Sequence, residues 1–204
     1  MSDGMIVATV ITDQDVYERH LAPCIEAAGL PRIVLHGDEN TCLARLYNEV
    51  LDATQQRFVV FTHPDVEFSP DLLANIPPSS IVGGVGVVEV RKRFWSRSGE
   101  RNYIWAAEIA EATEVACFDS CFLVADRQLG LRFDDELFDG LHLCVADYCY
   151  QARNAGAKCV VPVAKRFEHH STTVRTAGYN WGNYQEYRER LERKWGRQFR
   201  VVTT

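Results

Sequence analysis

The segment Phe58-Val59-Val60-Phe61-Thr62-His63-Pro64-Asp65-Val66-Glu67-Phe68 is the stretch from which the fold can be inferred. Its apolar run, residues 58–61, is typical of a strand that is buried on both faces of a parallel sheet. Pro64 ends the run, because proline has no N–H for a sheet ladder and biases His63 towards an extended backbone. Ligands of open parallel sheets bind beyond the carboxyl ends of the strands, so Asp65 is expected at a binding site.

Strands and helices alternate along the chain on both sides of this segment. Apolar β-prone runs predict strands, and apolar residues spaced three and four apart predict helices. The predicted strands are residues 5–11, 33–35, 58–62, 81–88, 115–124 and 159–163. The predicted helices are residues 15–28, 43–51, 145–155 and 182–195. This alternation indicates βαβ units, and therefore an α/β fold with a mixed, mainly parallel sheet flanked by helices.

The composition excludes several classes of protein. A chain of 204 residues with a net charge of −6 predicts one globular domain that does not bind nucleic acid, because such binding needs clustered cations. The basic stretch at residues 91–97 is short and reads as a solvated loop. Seven scattered cysteines without a C-x-x-C pair signal neither disulfides nor structural zinc. No apolar run reaches the roughly 18 residues of a membrane span, so a soluble, cytoplasmic protein is expected.

The residues around Asp65 are candidate metal ligands. If the backbone stays extended, His63, Asp65 and Glu67 project to one side. Carboxylates with an imidazole suit a divalent cation, and Mn²⁺ accepts nitrogen better than Mg²⁺ does. A strand-ending turn with solvated acids remains the alternative. One member of the pair His169-His170 could reach Asp65, although a surface or capping pair is the simpler interpretation.

Three aspartates are candidate catalytic bases. Asp119 interrupts a predicted strand, Asp139 lies in a Phe-Asp-Gly turn, and Asp147 stands at the start of a predicted helix. The helix dipole alone would explain an acid in the position of Asp147. The local sequence around each aspartate does not identify any of the three as the catalytic base.

The order of these motifs resembles the GT-A nucleotide-sugar glycosyltransferases. It is most similar to the family-2-like group that includes streptomycin-biosynthesis-type glycosyltransferase domains. The matching stretches are Leu46-Tyr47-Asn48-Glu49-Val50, residues 58–68, Phe118-Asp119-Ser120-Cys121-Phe122-Leu123-Val124, residues 147–156, His169-His170-Ser171 and Lys194-Trp195-Gly196. The resemblance implies a GT-A, Rossmann-like fold over residues 1–204. Residues 1–90 would form a nucleotide-binding half, 91–180 an acceptor and catalytic half, and 181–204 a C-terminal helix.

The resemblance also implies roles for individual residues. His63 and Asp65 occupy the place of the family's D-x-D metal motif, and His169 or His170 would complete a Mn²⁺ or Mg²⁺ site. The residues implied to bind the nucleotide sugar are Thr12, Asp13, His36, Asp38, Arg45 and Asn48. Asp119 would lie near the donor sugar and the acceptor. Trp95, Tyr103 and Trp105, in the irregular segment 91–114, could stack on a sugar.

One position departs from the family pattern. Inverting members carry an acid two residues before the position of Asp147, where it removes the proton of the acceptor hydroxyl, and this chain has Val145 there. Either Asp147 or Asp139 then takes the proton, or the domain binds a nucleotide sugar without transferring it efficiently.

The sequence therefore predicts a metal-dependent glycosyltransferase, of inverting type, that transfers a sugar from a nucleotide-diphosphate donor to a glycan or small-molecule acceptor. A catalytically impaired nucleotide-sugar or glycan-binding module is the first alternative. A metal-dependent hydrolase built on His63, Asp65, His169 and His170 is the second. The acceptor, the donor sugar and the oligomeric state are left open, with a homo-oligomer among the options.

Overall fold

The computed structural model describes residues 4–38, 40–74, 76–87, 103–170 and 181–196, and the side chains of residues 181–183 are not described. The strands are β1 (Met5–Ile11), β2 (Arg32–His36), β3 (Phe58–Thr62), β4 (Val66–Phe68), β5 (Ser80–Gly83), β6 (Val85–Val87), β7 (Tyr103–Trp105), β8 (Thr113–Glu114), β9 (Cys117–Phe118), β10 (Phe122–Asp126), β11 (Lys158–Val161) and β12 (Phe167–His169). The helices are α1 (Gln14–Arg19), α2 (Leu21–Ala28), α3 (Leu43–Ala53), α4 (Cys144–Asn154) and α5 (Trp181–Trp195).

Among the described residues, a mixed sheet of seven strands, in the order β2-β1-β3-β10-β5-β11-β8, forms the centre of the molecule. Strands β1, β2 and β3 are parallel, whereas β10 runs antiparallel between β3 and β5. Strand β11 is again parallel to β5, and β8 closes the sheet antiparallel to β11. Five of the seven strands therefore share one direction, which confirms the predicted α/β fold with a mixed, mainly parallel sheet.

The core forms where the apolar central strands meet α3. Val7 and Val60 are fully buried in adjacent strands. Tyr47, on the predicted apolar stripe of α3, stacks on Phe61 with ring centroids 4.1 Å apart, and Phe133 meets both rings edge-on. Burying aromatic side chains of this size is worth several kcal/mol in total, so α3 is held mainly by its apolar face.

The predicted strand at residues 81–88 is divided between two sheets. Strand β5 belongs to the central sheet, while β6 joins the small sheet β7-β6-β9. The chain changes sheet at Gly84, where a Cβ atom would lie 2.0 Å from the ring of Phe167. Glycine therefore lets the backbone approach that ring closely. Residues 88–102, which include Trp95, lie outside the described residues.

The prediction of one continuous helix over residues 15–28 was wrong, because the helix is broken at His20. Residue 20 ends α1 and begins α2. Pro23 explains the break, since it has no N–H to donate to the carbonyl of Arg19 and its ring would clash with that carbonyl in a continuous helix. The break leaves the His20 side chain at the corner between the two helices, beside β4.

The C-terminal helix α5 is anchored to α4 by a buried carboxylate. Asp147 is fully buried, and its Oδ1 accepts a hydrogen bond from Trp195 Nε1 at 2.7 Å. Lys194 Nζ forms an ion pair with Oδ1 at 2.8 Å and donates a hydrogen bond to Oδ2 at 3.0 Å. The Asp147 Oδ2 also accepts a hydrogen bond from Gln151 Nε2 at 2.7 Å. Buried charges are tolerated when they are paired and hydrogen-bonded in this way. The predicted apolar stripe of α5 adds Tyr187 and Leu191, both buried.

We expect the substitution Asp147→Ala to lower the free energy of unfolding by about 3 kcal/mol, because it leaves the Trp195 indole N–H without its acceptor and removes one of the two carboxylates, Asp147 and Asp134, that pair with Lys194. Urea unfolding followed by circular dichroism measures the change. Glu189→Gln, an exposed substitution on α5, is the control and should stay within about 0.5 kcal/mol of the parent. Equal stability of Asp147→Ala and the parent would show that this carboxylate does not anchor the helix.

Candidate functional site

Three of the predicted metal ligands converge at the carboxyl edge of the central sheet. His63 and Asp65 follow β3, and His169 reaches them because β12 pairs antiparallel with β4. The ligand atoms of these three side chains all lie within 4.8 Å of one another, and His169 Nε2 is 3.4 Å from Asp65 Oδ1. We call this group the Asp65 cluster. Its two nitrogens and one carboxylate oxygen form a donor set that suits a divalent cation.

The protonation states of the Asp65 cluster favour metal ligation. Burial alone would raise the pKa of Asp65, but the hydrogen bond from His169 holds it below its usual range, so Asp65 is ionised. Burial, together with repulsion from His169, lowers the pKa of His63, which is therefore neutral near pH 7. Burial opposes protonation of His169 as well, yet its hydrogen bond with Asp65 raises the pKa of this imidazole. Ligation by His169 would displace that proton.

Asp119 lies beside the Asp65 cluster, at the turn between β9 and β10. A ligand atom of Asp119 lies within 4.8 Å of those of His169 and Cys121. Its side chain is 1% exposed, and its Oδ1 accepts a hydrogen bond from the backbone N–H of Cys121 at 2.9 Å. Asp119 can therefore act on His169 electrostatically, but it does not face open solvent.

His170 and Glu67 do not join the Asp65 cluster. The backbone N–H of His170 donates to the carbonyl of Asp65 at 2.9 Å, while its side chain lies against Glu67 and His20. The arrangement that the hydrolase alternative required, four ligands around one metal, is therefore not formed. Nothing in the local sequence had marked His20 as a site residue; the available signal was Pro23, which places the helix break next to it.

The residues predicted to bind the nucleoside end the first two strands. Thr12 and Asp13 follow β1, His36 ends β2, and Asp38 follows β2. Because β1, β2 and β3 are parallel, these residues lie at the same edge of the sheet as His63. Asp13 also caps α1, since its Oδ1 accepts from the backbone N–H of Asp15 at 2.9 Å.

The two α3 residues predicted to face the donor sugar differ in their surroundings. Arg45 is exposed and pairs with Asp135 at 3.6 Å. Asn48 is buried, and its side-chain amide both donates to and accepts from the backbone of Phe133, each at 2.9 Å. Asn48 therefore holds the segment around Phe133 in place, a long-range contact that the helical pattern could not reveal.

The other two candidate bases are held by α5. Asp147 is the buried anchor described above, and Val145 is 1% exposed. Asp139 accepts hydrogen bonds from Tyr187 Oη at 3.0 Å and Arg190 Nη1 at 2.8 Å. Of the three candidate bases, Asp119 alone lies next to the Asp65 cluster.

Comparison with solved structures identifies the fold. GalNAc-T7, crystallised with UDP, GalNAc and Mn²⁺, has a TM-score of 0.55 at 11% identity, over 91% of this chain and 48% of that chain. S. aureus TarS 1-349 with UDP-GlcNAc has a TM-score of 0.52 at 10% identity, over 90% of this chain and 64% of that chain. A second crystal structure of TarS 1-349 has a TM-score of 0.52 at 12% identity, over 80% of this chain and 59% of that chain.

These similarities confirm the GT-A fold that the motif order predicted. The chain spans 48% to 64% of the length of these structures. No protein-family model and no curated protein matches the sequence. Within the described part of the chain, no helix is long and apolar enough to cross a membrane.

The Asp139 contacts predict a pH-dependent contribution to stability. Burial raises the pKa of Asp139, but the hydrogen bonds from Arg190 and Tyr187 outweigh it and hold the pKa below its usual range. Burial and Asp139 also raise the pKa of Tyr187 to about 12, so its hydroxyl remains a donor. A depressed carboxyl pKa stabilises the fold above the unfolded value of about 4, and this contribution is lost as the pH falls through the folded value.

We therefore expect Asp139→Asn to be less stable than the parent at pH 7, by no more than about 1 kcal/mol because the Asp139 side chain is 57% exposed. The difference should shrink as the pH falls below about 4. Thermal unfolding of both proteins as a function of pH measures it. A difference that stayed constant down to pH values well below that range would rule out a contribution from Asp139 ionisation.

Proposed function

We propose that this protein binds a nucleotide-diphosphate sugar through a divalent cation held by His63, Asp65 and His169, and that it transfers the sugar to an acceptor. The observation that carries the proposal is the convergence of these three ligands within 4.8 Å at the carboxyl edge of a GT-A sheet. Ligands of such sheets bind at this edge. GalNAc-T7, whose fold is similar, was crystallised with UDP, GalNAc and Mn²⁺.

The donor set of the Asp65 cluster fits Mn²⁺ or Mg²⁺, and two imidazoles with one carboxylate favour Mn²⁺. Such a cation supplies Lewis-acid stabilisation of the charge on a leaving nucleoside diphosphate. Asp65 would contribute an anionic oxygen and His63 a neutral imidazole nitrogen. Asp119 would orient His169 through its negative charge, as residues behind metal-bound histidines commonly do.

The nucleoside would lie along the ends of β1 and β2, against Thr12, Asp13, His36 and Asp38. Asp13 is well suited to this place, because capping α1 fixes its carboxylate at the sheet edge. Arg45, which is exposed, would face the phosphates or the sugar. We leave Asn48 out of the donor site, since its amide is already paired with the backbone of Phe133.

The acceptor half supports a second candidate function, the binding of a nucleotide sugar without efficient transfer. A general base must reach the acceptor hydroxyl. Asp147 is buried under Lys194 and Trp195, Asp139 is paired with Arg190, and Val145 has no proton acceptor. Turnover therefore separates the two functions, whereas donor binding is common to both.

We expect Asp65→Asn to weaken Mn²⁺-dependent binding of a nucleoside diphosphate at least tenfold, because it removes the only anionic ligand of the Asp65 cluster. Isothermal titration with UDP, GDP, ADP and dTDP, with and without Mn²⁺, measures the effect and identifies the base. Glu168→Gln, which removes an exposed carboxylate from β12, is the matched control and should bind like the parent. Parent protein that binds none of these diphosphates in Mn²⁺ would overturn both candidate functions.

Transfer is tested by release of free nucleoside diphosphate from a panel of nucleotide sugars that includes UDP-GalNAc and UDP-GlcNAc. We expect metal-dependent release that Asp65→Asn abolishes and Glu168→Gln preserves. Tight donor binding with no release, in the presence of glycan and small-molecule acceptors, would favour the binding module instead.

A further inference from the structure

Strands β4 and β12 form a two-stranded antiparallel sheet, which we call the β4–β12 ribbon. A second group of side chains that could hold a metal ion lies at this ribbon. His20, Glu67 and His170, which we call the His20 cluster, place their ligand atoms within 4.8 Å of one another. His20 Nδ1 is 2.7 Å from Glu67 Oε1, and His170 Nε2 is 3.1 Å from the same oxygen. The two imidazole rings stack with centroids 4.3 Å apart. The cluster shares no ligand with the Asp65 cluster.

One nitrogen of this cluster has no hydrogen bond within the described part of the chain. His170 Nε2 is buried and, despite its distance of 3.1 Å from Glu67 Oε1, makes no hydrogen bond with any residue that the structure describes. Buried polar atoms are nearly always satisfied, and an exception calls for a physical explanation, such as an ion. A nitrogen lone pair directed at a metal would satisfy this atom.

A different structural element positions each of the three side chains. The break that Pro23 imposes between α1 and α2 brings His20 to the ribbon. Glu67 lies within β4, directly opposite Glu168 in the antiparallel register, and His170 follows β12. The Glu67 and His20 side chains are only 13% and 15% exposed. A ligand set placed by three different elements is held without depending on one flexible loop.

Arg166 supports Glu67 from the other side. Its guanidinium contacts Glu67 Oε2, which leaves Oε1 directed at the two imidazoles. Arg166 is itself held by Glu168, 2.9 Å from its Nε. Although burial raises the pKa of Glu67, the hydrogen bond with His20 and the charge of Arg166 keep it below its usual range. Glu67 is therefore ionised, with one oxygen available for a cation.

We propose that His20, Glu67 and His170 form a second divalent-cation site, which prefers Zn²⁺. Two imidazoles and one carboxylate form a three-ligand set that leaves a fourth tetrahedral position for water or an oxygen of a substrate. Ligand atoms of a tetrahedral Zn²⁺ lie about 3.3 Å apart. The observed separations of 2.7 and 3.1 Å from Oε1 would have to open by about 0.6 and 0.2 Å to reach this spacing.

The experiment uses the full chain with the Asp65 cluster disabled, so that it does not depend on the proposed donor site. Asp65→Asn protein is titrated with Co²⁺ and with Zn²⁺ against a chromophoric chelator, with no nucleotide present. We expect one ion per chain, with the intense visible bands of four-coordinate cobalt. The double variant Asp65→Asn/His20→Ala should bind Zn²⁺ at least tenfold more weakly than the Asp65→Asn protein and should lack those cobalt bands.

Two further variants make the test specific. Glu168→Gln in the same background should lower the Zn²⁺ affinity less than His20→Ala does, because Glu168 is not one of the three ligands. It pairs with Arg166, and its Oε2 lies 3.6 Å from His170 Nε2. Far-UV circular dichroism checks folding, and His170→Gln replaces His20→Ala if the latter unfolds. Zn²⁺ binding that is equally tight with and without His20, or with and without His170, would overturn the proposal. So would an Asp65→Asn protein that binds no Zn²⁺.

Discussion

The antiparallel pairing of β4 with β12 is the interaction on which the candidate sites depend. These two short strands come from opposite halves of the chain, and the backbone hydrogen bond from His170 to Asp65 continues their ladder beyond the strand ends. The pairing places His169 against Asp65 and His170 against Glu67. A shift of the register by one residue would move these side chains to the opposite face of the ribbon, and neither cluster would form.

The central sheet supports this ribbon and explains where it lies. Strand β3 runs directly into His63-Pro64-Asp65, and the antiparallel strand β10 brings Cys121 alongside, where the Cys121 carbonyl accepts a hydrogen bond from the His63 N–H at 2.9 Å. The Asp65 cluster is therefore attached to the most buried part of the fold. That rigidity suits a metal site, in which small displacements of the ligands are costly.

Several polar residues that resemble functional groups in the sequence stabilise the fold instead. Asp147 anchors α5, Asp139 pairs with Arg190 on the same helix, and Asn48 clamps the backbone of Phe133. Asp147 and Asp139 lie in the part of the chain predicted from the sequence to contact an acceptor, and Asn48 lies in the part predicted to bind the nucleotide. The polar groups of the Asp65 cluster lie instead at the carboxyl edge of the central sheet. A fold leaves the chemistry to such individual residues.

The sequence by itself determined the longer helices, most strands of the central sheet, the fold class and the edge of the sheet at which the candidate site lies. Local periodicity predicted α3, α4 and α5, because an apolar stripe must be buried, and residues 58–65 located the end of a buried strand. The sequence also contained the cause of the break at His20, in Pro23. Only the tertiary structure decided which histidine joins which acid, because strand register and helix docking bring together residues that are distant in the chain. For the same reason it alone revealed that Asp147 and Asn48 are occupied by long-range hydrogen bonds, and that His20 meets Glu67 from 47 positions away.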